Sequence, residues 1–223
     1  MREVIVLGKG SLAVKVCNWF LRSADYRLVL IVPVMPEPSW TESLCRWATG
    51  NAVPFVESGH YKDIPGVGEG DWSIDLAFSV FYDKIIKPWF IDKCGRMLNF
   101  HNSPLPRYRG VRPINWALKN QEREHGVTIH EITPGIDDGP IVGQVKFSIY
   151  PEFDEVIDVY NRALEYGWLL FQQTLPILDK ITPIPQDESQ ATYYGQERVS
   201  LLGDRSDFTK DESMRNRCRA DGE

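Results

Sequence analysis

Two side chains suited to acyl chemistry stand two residues apart in the run Asn99-Phe100-His101-Asn102-Ser103-Pro104-Leu105-Pro106-Arg107-Tyr108-Arg109-Gly110. On an extended strand such positions share a face, so Asn99 and His101 can reach the same small group. A carboxamide offers N–H donors to an oxyanion, and an imidazole trades a proton near neutral pH. A second segment, Gly135-Ile136-Asp137-Asp138-Gly139-Pro140-Ile141, sets carboxylates in a tight loop. A carboxylate there could orient the imidazole and favour its protonated form. The set suits acyl transfer. Each residue also has a structural reading: a strand-end His can be a satisfied polar group, Asn99 can bond its own loop, and Asp-Asp-Gly is a common turn.

These residues need a scaffold, and the hydrophobic pattern supplies one. Glu3 to Leu7 reads as a buried strand, Gly8-Lys9-Gly10 as a turn, Ser11 to Arg22 as a helix and Tyr26 to Val32 as a second strand. Strand, glycine turn, helix and strand make a βαβ unit, which implies a parallel sheet with a right-handed crossover. Trp40 to Thr49 reads as helix, Val53 to Val56 and Ile74 to Val80 as strands, Pro88 to Cys94 as helix and Met97 to His101 as strand. Beyond them, Pro113 to Lys119 reads as helix, Val127 to Ile132 and Ile141 to Ile149 as strands, and Glu155 to Leu178 as a long amphipathic helix. The fold class is α/β: a Rossmann-like, mostly parallel sheet flanked by helices, with a short C-terminal extension. Asn99 and His101 then lie at a strand's C-terminal end, where open parallel sheets bind ligands.

Gly8-x-Gly10-x-x-Ala13 looks like half of a dinucleotide fingerprint. Its acidic partner is missing, because the second strand ends Val32-Pro33-Val34-Met35-Pro36. The turn therefore reads as close helix packing, and no cofactor is assigned to it.

Composition narrows the classes. The 223 residues carry 25 basic and 31 acidic side chains, a net charge of −6 that argues against broad capture of nucleic acid or anionic lipid. Cys17, Cys45, Cys94 and Cys218 show no zinc or disulfide spacing and read as free thiols of a cytoplasmic protein. The longest apolar run, Leu28 to Met35, is far below the ~20 residues that span a bilayer, so no membrane segment is expected.

The run Asn99-x-His101-x-Ser103-x-Leu105-Pro106-x-Tyr108-Arg109-Gly110, the segment Gly126-Val127-Thr128-Ile129-His130, and Asp137-x-Gly139-Pro140-Ile141-Val142-x-Gln144 resemble the formyltransferases that use 10-formyltetrahydrofolate. The resemblance covers about residues 1–180 and is strongest over 75–178. Pro104 and Asp138 depart from the family pattern, where Leu and a small residue are usual. The resemblance implies that Asn99, His101 and Asp137 form the catalytic set, that 10-formyltetrahydrofolate is the co-substrate and that no metal is needed. It also implies a folate pocket built from Phe81, Tyr82, Lys84, Ile85 and Ile86 and from Thr133, Pro134, Gly135 and Ile136.

Within the family, Tyr108-Arg109-Gly110-Val111-Arg112-Pro113-Ile114-Asn115-Trp116 is closest to the pattern of enzymes that formylate nucleotide-linked amino sugars. A dideoxy amino sugar carried on dTDP, destined for surface polysaccharide, is the expected substrate. Ser103, Tyr108, Arg109, Gly110, Arg112 and Tyr194 are its candidate contacts, with the arginines as diphosphate anchors. The alternatives are a glycinamide ribonucleotide formyltransferase of purine synthesis and a non-catalytic folate or nucleotide-sugar binder. Methionyl-tRNA formyltransferases carry a further C-terminal barrel, whereas about 45 residues follow the long helix here. Residues 1–180 are thus expected to form the catalytic domain and 181–223 an extension that serves a nucleotide contact or the edge of a homodimer.

Overall fold

A computed structural model describes residues 1–205; the charged stretch beyond them, including Cys218, lies outside the described residues. Two compact units divide the chain, Met1–Phe100 with His130–Gly135, and His101–Ile129 with Ile136 onward.

In the first unit β1 (Arg2–Gly8), α1 (Gly10–Arg22), β2 (Tyr26–Pro33), α2 (Leu44–Gly50), β3 (Ile74–Val80), α3 (Pro88–Ile91) and β4 (Cys94–His101) follow in order. The strands align as β2-β1-β3-β4, all parallel, with Val4 opposite both Leu28 and Leu76, and Phe78 opposite Leu98. Alternation along the strands sends side chains to two faces. On one face Phe20, Tyr26, Phe78 and Phe100 meet edge-on or tilted, with Phe78 and Phe100 centroids 5.3 Å apart. On the other, Ile5, Leu7, Val32, Tyr61, Ala77, Ile86, Phe90 and Met97 form a continuous apolar core. Each such large side chain contributes roughly 1.5–3 kcal/mol by leaving water. Gly8 is required by a close approach: a Cβ there would lie 2.0 Å from the carbonyl oxygen of Val80. That carbonyl also accepts from the Lys9 amide at 3.1 Å, so the glycine turn locks β1 to β3.

Several boundaries differ from the sequence expectation. The helix expected from Trp40 begins only at Leu44, because Glu37 accepts from the Leu44 and Cys45 amides and holds the preceding segment as an irregular turn. Val53 to Val56 forms no strand of its own, only a bridge between Ile31 and Phe55. The helix at Pro88 ends at Ile91; Asp92 and Lys93 form a turn and Cys94 begins β4.

In the second unit β5 (Arg109–Gly110), α4 (Pro113–Lys119), β6 (Glu124–Glu131), β7 (Ile141–Ser148), α5 (Val156–Thr174) and β8 (Tyr193–Tyr194) follow. β6 neighbours β7 in an antiparallel sense, since the Ile149 amide donates to Arg123 while Gly126 faces Val145. The last residues of β6 belong to the first unit, where Arg96 pairs with Glu131 at 2.8 Å and the Ile132 amide donates to Met97. α5 opens with the Asp158 carboxylate accepting from the Glu155 amide at 3.0 Å. It stops at Thr174, four residues before the expected end, because Pro176 tightens the chain into a 3-10 turn. Gly143 lets this helix settle on β7: a Cβ there would meet Thr174 Oγ1 at 2.9 Å. β5 pairs with β8 in parallel, so the segment that follows α5 returns to the loop after His101. The architecture is the mostly parallel sheet with flanking helices that the pattern foretold.

Candidate active site

His101 ends β4 and is 7% exposed. Its Nε2 lies 2.8 Å from the carbonyl oxygen of Tyr108, which can only accept, so Nε2 carries a proton. Its Nδ1 faces the Asp137 carboxylate at 3.5 Å, beyond a tight hydrogen bond. Two acceptors around one ring fit the imidazolium, in which both nitrogens donate. The backbone is bent to make this arrangement, with Tyr108 at φ +63° and Asp137 at φ +52°. Left-handed conformations at residues other than glycine are uncommon and cluster at functional sites. Asp137 Oδ2 also accepts from the Gly110 amide at 2.8 Å. Asp138, beside it, is exposed, so Asp137 is the carboxylate that faces the ring.

Asn99, on the same strand, donates from Nδ2 to His130 Nε2 at 3.1 Å. The His130 Nδ1 lies 2.8 Å from the carbonyl of Glu131, which fixes the tautomer: Nδ1 donates there and Nε2 accepts from Asn99. One N–H of the carboxamide is thereby anchored, and the amide has a second to offer. His130 stands in a segment whose residues matched the family pattern, yet no reading of spacing assigned it a partner. Only the pairing of β6 beside β4 brings it to Asn99.

The loop after β3 carries the expected folate residues. Phe81 has φ +57°, and the hydroxyl of Tyr82 donates to Gly59 at 2.8 Å while accepting from the Tyr61 amide at 3.2 Å. Burial holds the Tyr82 phenol well above its ordinary pKa, so it remains a donor. Tyr61 braces the other end, donating to the Ile85 carbonyl and accepting from the Lys87 amide. Ile86 is part of the apolar core, whereas Ile85 is 67% exposed. Lys84 pairs with Asp83 at 3.2 Å and lies over the Tyr82 ring. Half-buried Phe81 and Tyr82 with exposed Ile85 offer the aromatic and apolar surface a flat heterocycle needs. Of the second folate segment, Thr133 is half-buried, and Pro134, Gly135 and Ile136 are exposed.

Most residues expected to contact the sugar nucleotide have internal partners instead. Ser103 is fully buried and donates to the Arg107 carbonyl at 2.7 Å. The Tyr108 hydroxyl donates to Glu122 at 2.6 Å and accepts from Asn120. Gly110 faces Asp137, and a Cβ on it would sit 2.3 Å from the Tyr194 carbonyl. Tyr194 stacks on Trp116 at 4.5 Å and on Tyr108 at 5.5 Å, which leaves little ring face for a nucleobase. The Arg109 fork is 8% exposed and closes on Gln186 and Glu188, so it is no free diphosphate anchor. Arg112 differs: it is exposed, in a left-handed conformation before α4, with no side-chain bond among the described residues. The partners of Arg109 come from residues 186 and 188, far along the chain, which local sequence reading cannot anticipate.

A carboxamide and an imidazole near the end of β4, and a loop carboxylate facing that imidazole, are side chains of the types acyl transfer uses. Residues 70–175 match the family model described as formyl transferase. A methionyl-tRNA formyltransferase from Synechococcus sp. (strain JA-3-3Ab) is 37% identical over 152 residues, covering 66% of this chain and 47% of that protein. The chain thus spans about half the length of that curated relative. WlaRD, a sugar 3N-formyl transferase solved in the presence of dTDP and 5-N-formyl-THF, superposes with a TM-score of 0.76 at 28% identity, covering 88% of this chain and 70% of that one. The N-formyltransferase of Helicobacter canadensis, solved with folinic acid and dTDP-3-aminofucose, gives 0.75 at 27% identity, covering 88% and 72%. The chain thus carries a formyl transferase domain over residues 70–175 and is similar to nucleotide-sugar N-formyltransferases. Among the described residues no cluster of three or more His, Cys, Asp or Glu could hold a metal, and no helix is long and apolar enough to cross a membrane.

Proposed function

We propose that the protein transfers the formyl group of 10-formyltetrahydrofolate to the amine of a nucleotide-linked amino sugar, dTDP being the favoured carrier. The observation that carries the reading is the His101 ring held between the Asp137 carboxylate and the Tyr108 carbonyl. It is supported by two neighbours above 25% identity, one a sugar 3N-formyl transferase solved with dTDP and the other an N-formyltransferase solved with dTDP-3-aminofucose. The neutral substrate amine bonds to the formyl carbon, the formyl oxygen takes up negative charge, and the bond to the folate nitrogen then breaks. Asn99 donates its second N–H to that oxygen, the positive charge of protonated His101 stabilises it, and the amine's proton passes toward the departing nitrogen, with Asp137 balancing charge on the ring. Phe81, Tyr82, Lys84, Ile85 and Ile86 with Thr133, Pro134, Gly135 and Ile136 frame the folate, Ile86 from beneath. Arg112 remains as the diphosphate contact. Residues 1–180 form the catalytic domain in this reading, and the product enters surface polysaccharide. Free Cys17, Cys45 and Cys94 suit a cytoplasmic protein, and a homodimer belongs to the same reading.

The 37% identity to a methionyl-tRNA formyltransferase makes charged initiator tRNA the second reading. Incubation with 10-formyltetrahydrofolate and separate amines distinguishes them: dTDP-, UDP- and GDP-linked amino sugars, glycinamide ribonucleotide and methionyl-tRNA. A formamido sugar is expected by mass spectrometry. Formylation of methionyl-tRNA or the ribonucleotide alone would overturn the sugar reading.

A further inference from the structure

Asp137 points its carboxylate at His101 from a strained backbone position, φ +52°, on a loop whose neighbours Ile136 and Asp138 are exposed. Something must hold it there, because a left-handed non-glycine residue persists only where surrounding contacts over-determine it. Those contacts come from beyond the long helix. The Gln186 Nε2 donates to the carbonyl of Asp137 at 2.8 Å and to the carbonyl of Gly139 at 2.7 Å, spanning the turn from both sides. The same side chain accepts at Oε1 from Arg109 Nε at 3.0 Å and Nη2 at 2.8 Å. Arg109 is oriented in turn by Glu188, at 3.0 and 2.6 Å. Every donor and acceptor of the carboxamide has a use, which fixes which end faces the loop. Arg109 and Gly110 are consecutive, so the strand that carries the Arg109 fork also presents the amide that binds the Asp137 carboxylate. β5 pairs with β8 just past this point, so the tract 186–194 grips both partners of the loop.

We infer that Gln186 is a positioning residue for the reaction: it fixes the Asp137 carboxylate against His101, and Arg109 with Glu188 fixes Gln186. The segment after α5 is therefore part of the active-site framework. The inference rests on the reading of Asp137 and His101 as members of the catalytic set. It assigns Gln186 no contact with either substrate; Gln186 acts through the loop backbone.

Gln186→Leu keeps the volume and removes both donors. In the full-length chain kcat should fall by up to roughly 10²-fold, the scale of a misplaced catalytic group, with both KM values within about two-fold. Glu188→Gln, a milder change on an exposed residue, should give a smaller loss in the same direction. Gln190→Leu, in the same turn but bonded only to Asp187, should leave kcat unchanged. Hydrogen exchange at the Gly110 amide gives a readout independent of any substrate: it should quicken in Gln186→Leu while amides of the core strands stay protected. A lowered Tm with unchanged kcat per folded molecule and an unaltered Gly110 amide would overturn the inference. Quickened Gly110 exchange without formyl transfer by the parent protein would keep the brace and sink the reading of the reaction.

Discussion

The two units bury different chemistry. The first is apolar inside: among the described residues its buried polar side chains are Ser79 and His130, set against a core of Ile5, Leu7, Phe78, Phe90 and their neighbours. The second buries His101, Ser103, Arg109, Asn115, His125, Thr128, Asp154, Glu155 and Thr174. Burying a polar group costs free energy unless its hydrogen bonds are remade, so such a unit is specified by geometry as much as by volume. The lesson is a difference in what specifies each unit: apolar volume in the first, the geometry of remade hydrogen bonds as well in the second.

That contrast breaks most sharply at two positions. Phe90→Ala, beside Tyr61 in the first unit, should cost about 3–5 kcal/mol of stability and lower Tm, with kcat per folded molecule preserved. His101→Ala should do the reverse, lowering kcat by about 10³-fold with a far smaller change in Tm. Thermal melts beside steady-state rates check both, and equal behaviour of the two variants would dissolve the comparison.

A smaller effect is expected from pH. His125 is fully buried, its Nε2 donating to the Asn102 carbonyl at 2.7 Å, and burial pushes its pKa from 6.5 down to about 4, aided by nearby His101 and Arg107. Between those values the unfolded chain holds a proton that the native chain refuses. The stabilisation is fully present above pH 6.5 and is lost as pH falls toward 4, by about 3 kcal/mol in all. Urea melts across this range should show that slope in the parent and a flatter one in His125→Phe. An unchanged slope would assign acid sensitivity to another group.

The smallest effect tests the one buried imidazole of the first unit. His130→Phe removes the acceptor that anchors Asn99, an unmet hydrogen bond of about 1–2 kcal/mol, and should lower kcat roughly tenfold. His130→Gln, which can still accept, should restore part of the rate. Loss of stability in both with kcat intact would make His130 a core residue only.

The apolar unit was the legible one. Period-2 and period-3.6 patterns located β1, α1, β2 and β3 nearly to the residue, because burial of alternating side chains is a local rule. Reading failed where a side chain overrode the pattern, as when Glu37 took the α2 amides and delayed that helix to Leu44. The polar framework was legible only in part. Asn99 and His101 could be paired by strand spacing, but Ser103, Tyr108, Arg109 and Tyr194 looked like ligand contacts and are engaged inside the fold.

Sequence alone determined the α/β class, the resemblance to formyltransferases and the candidate residues Asn99 and His101, since these depend on local periodicity and short motifs. Tertiary structure decided which carboxylate faces His101, what holds Asn99, and that Gln186 reaches back to the Asp137 turn. Those partners are 31 to 49 positions apart in the chain, and a hydrogen bond of 3 Å between them exists only after the sheet has closed the distance.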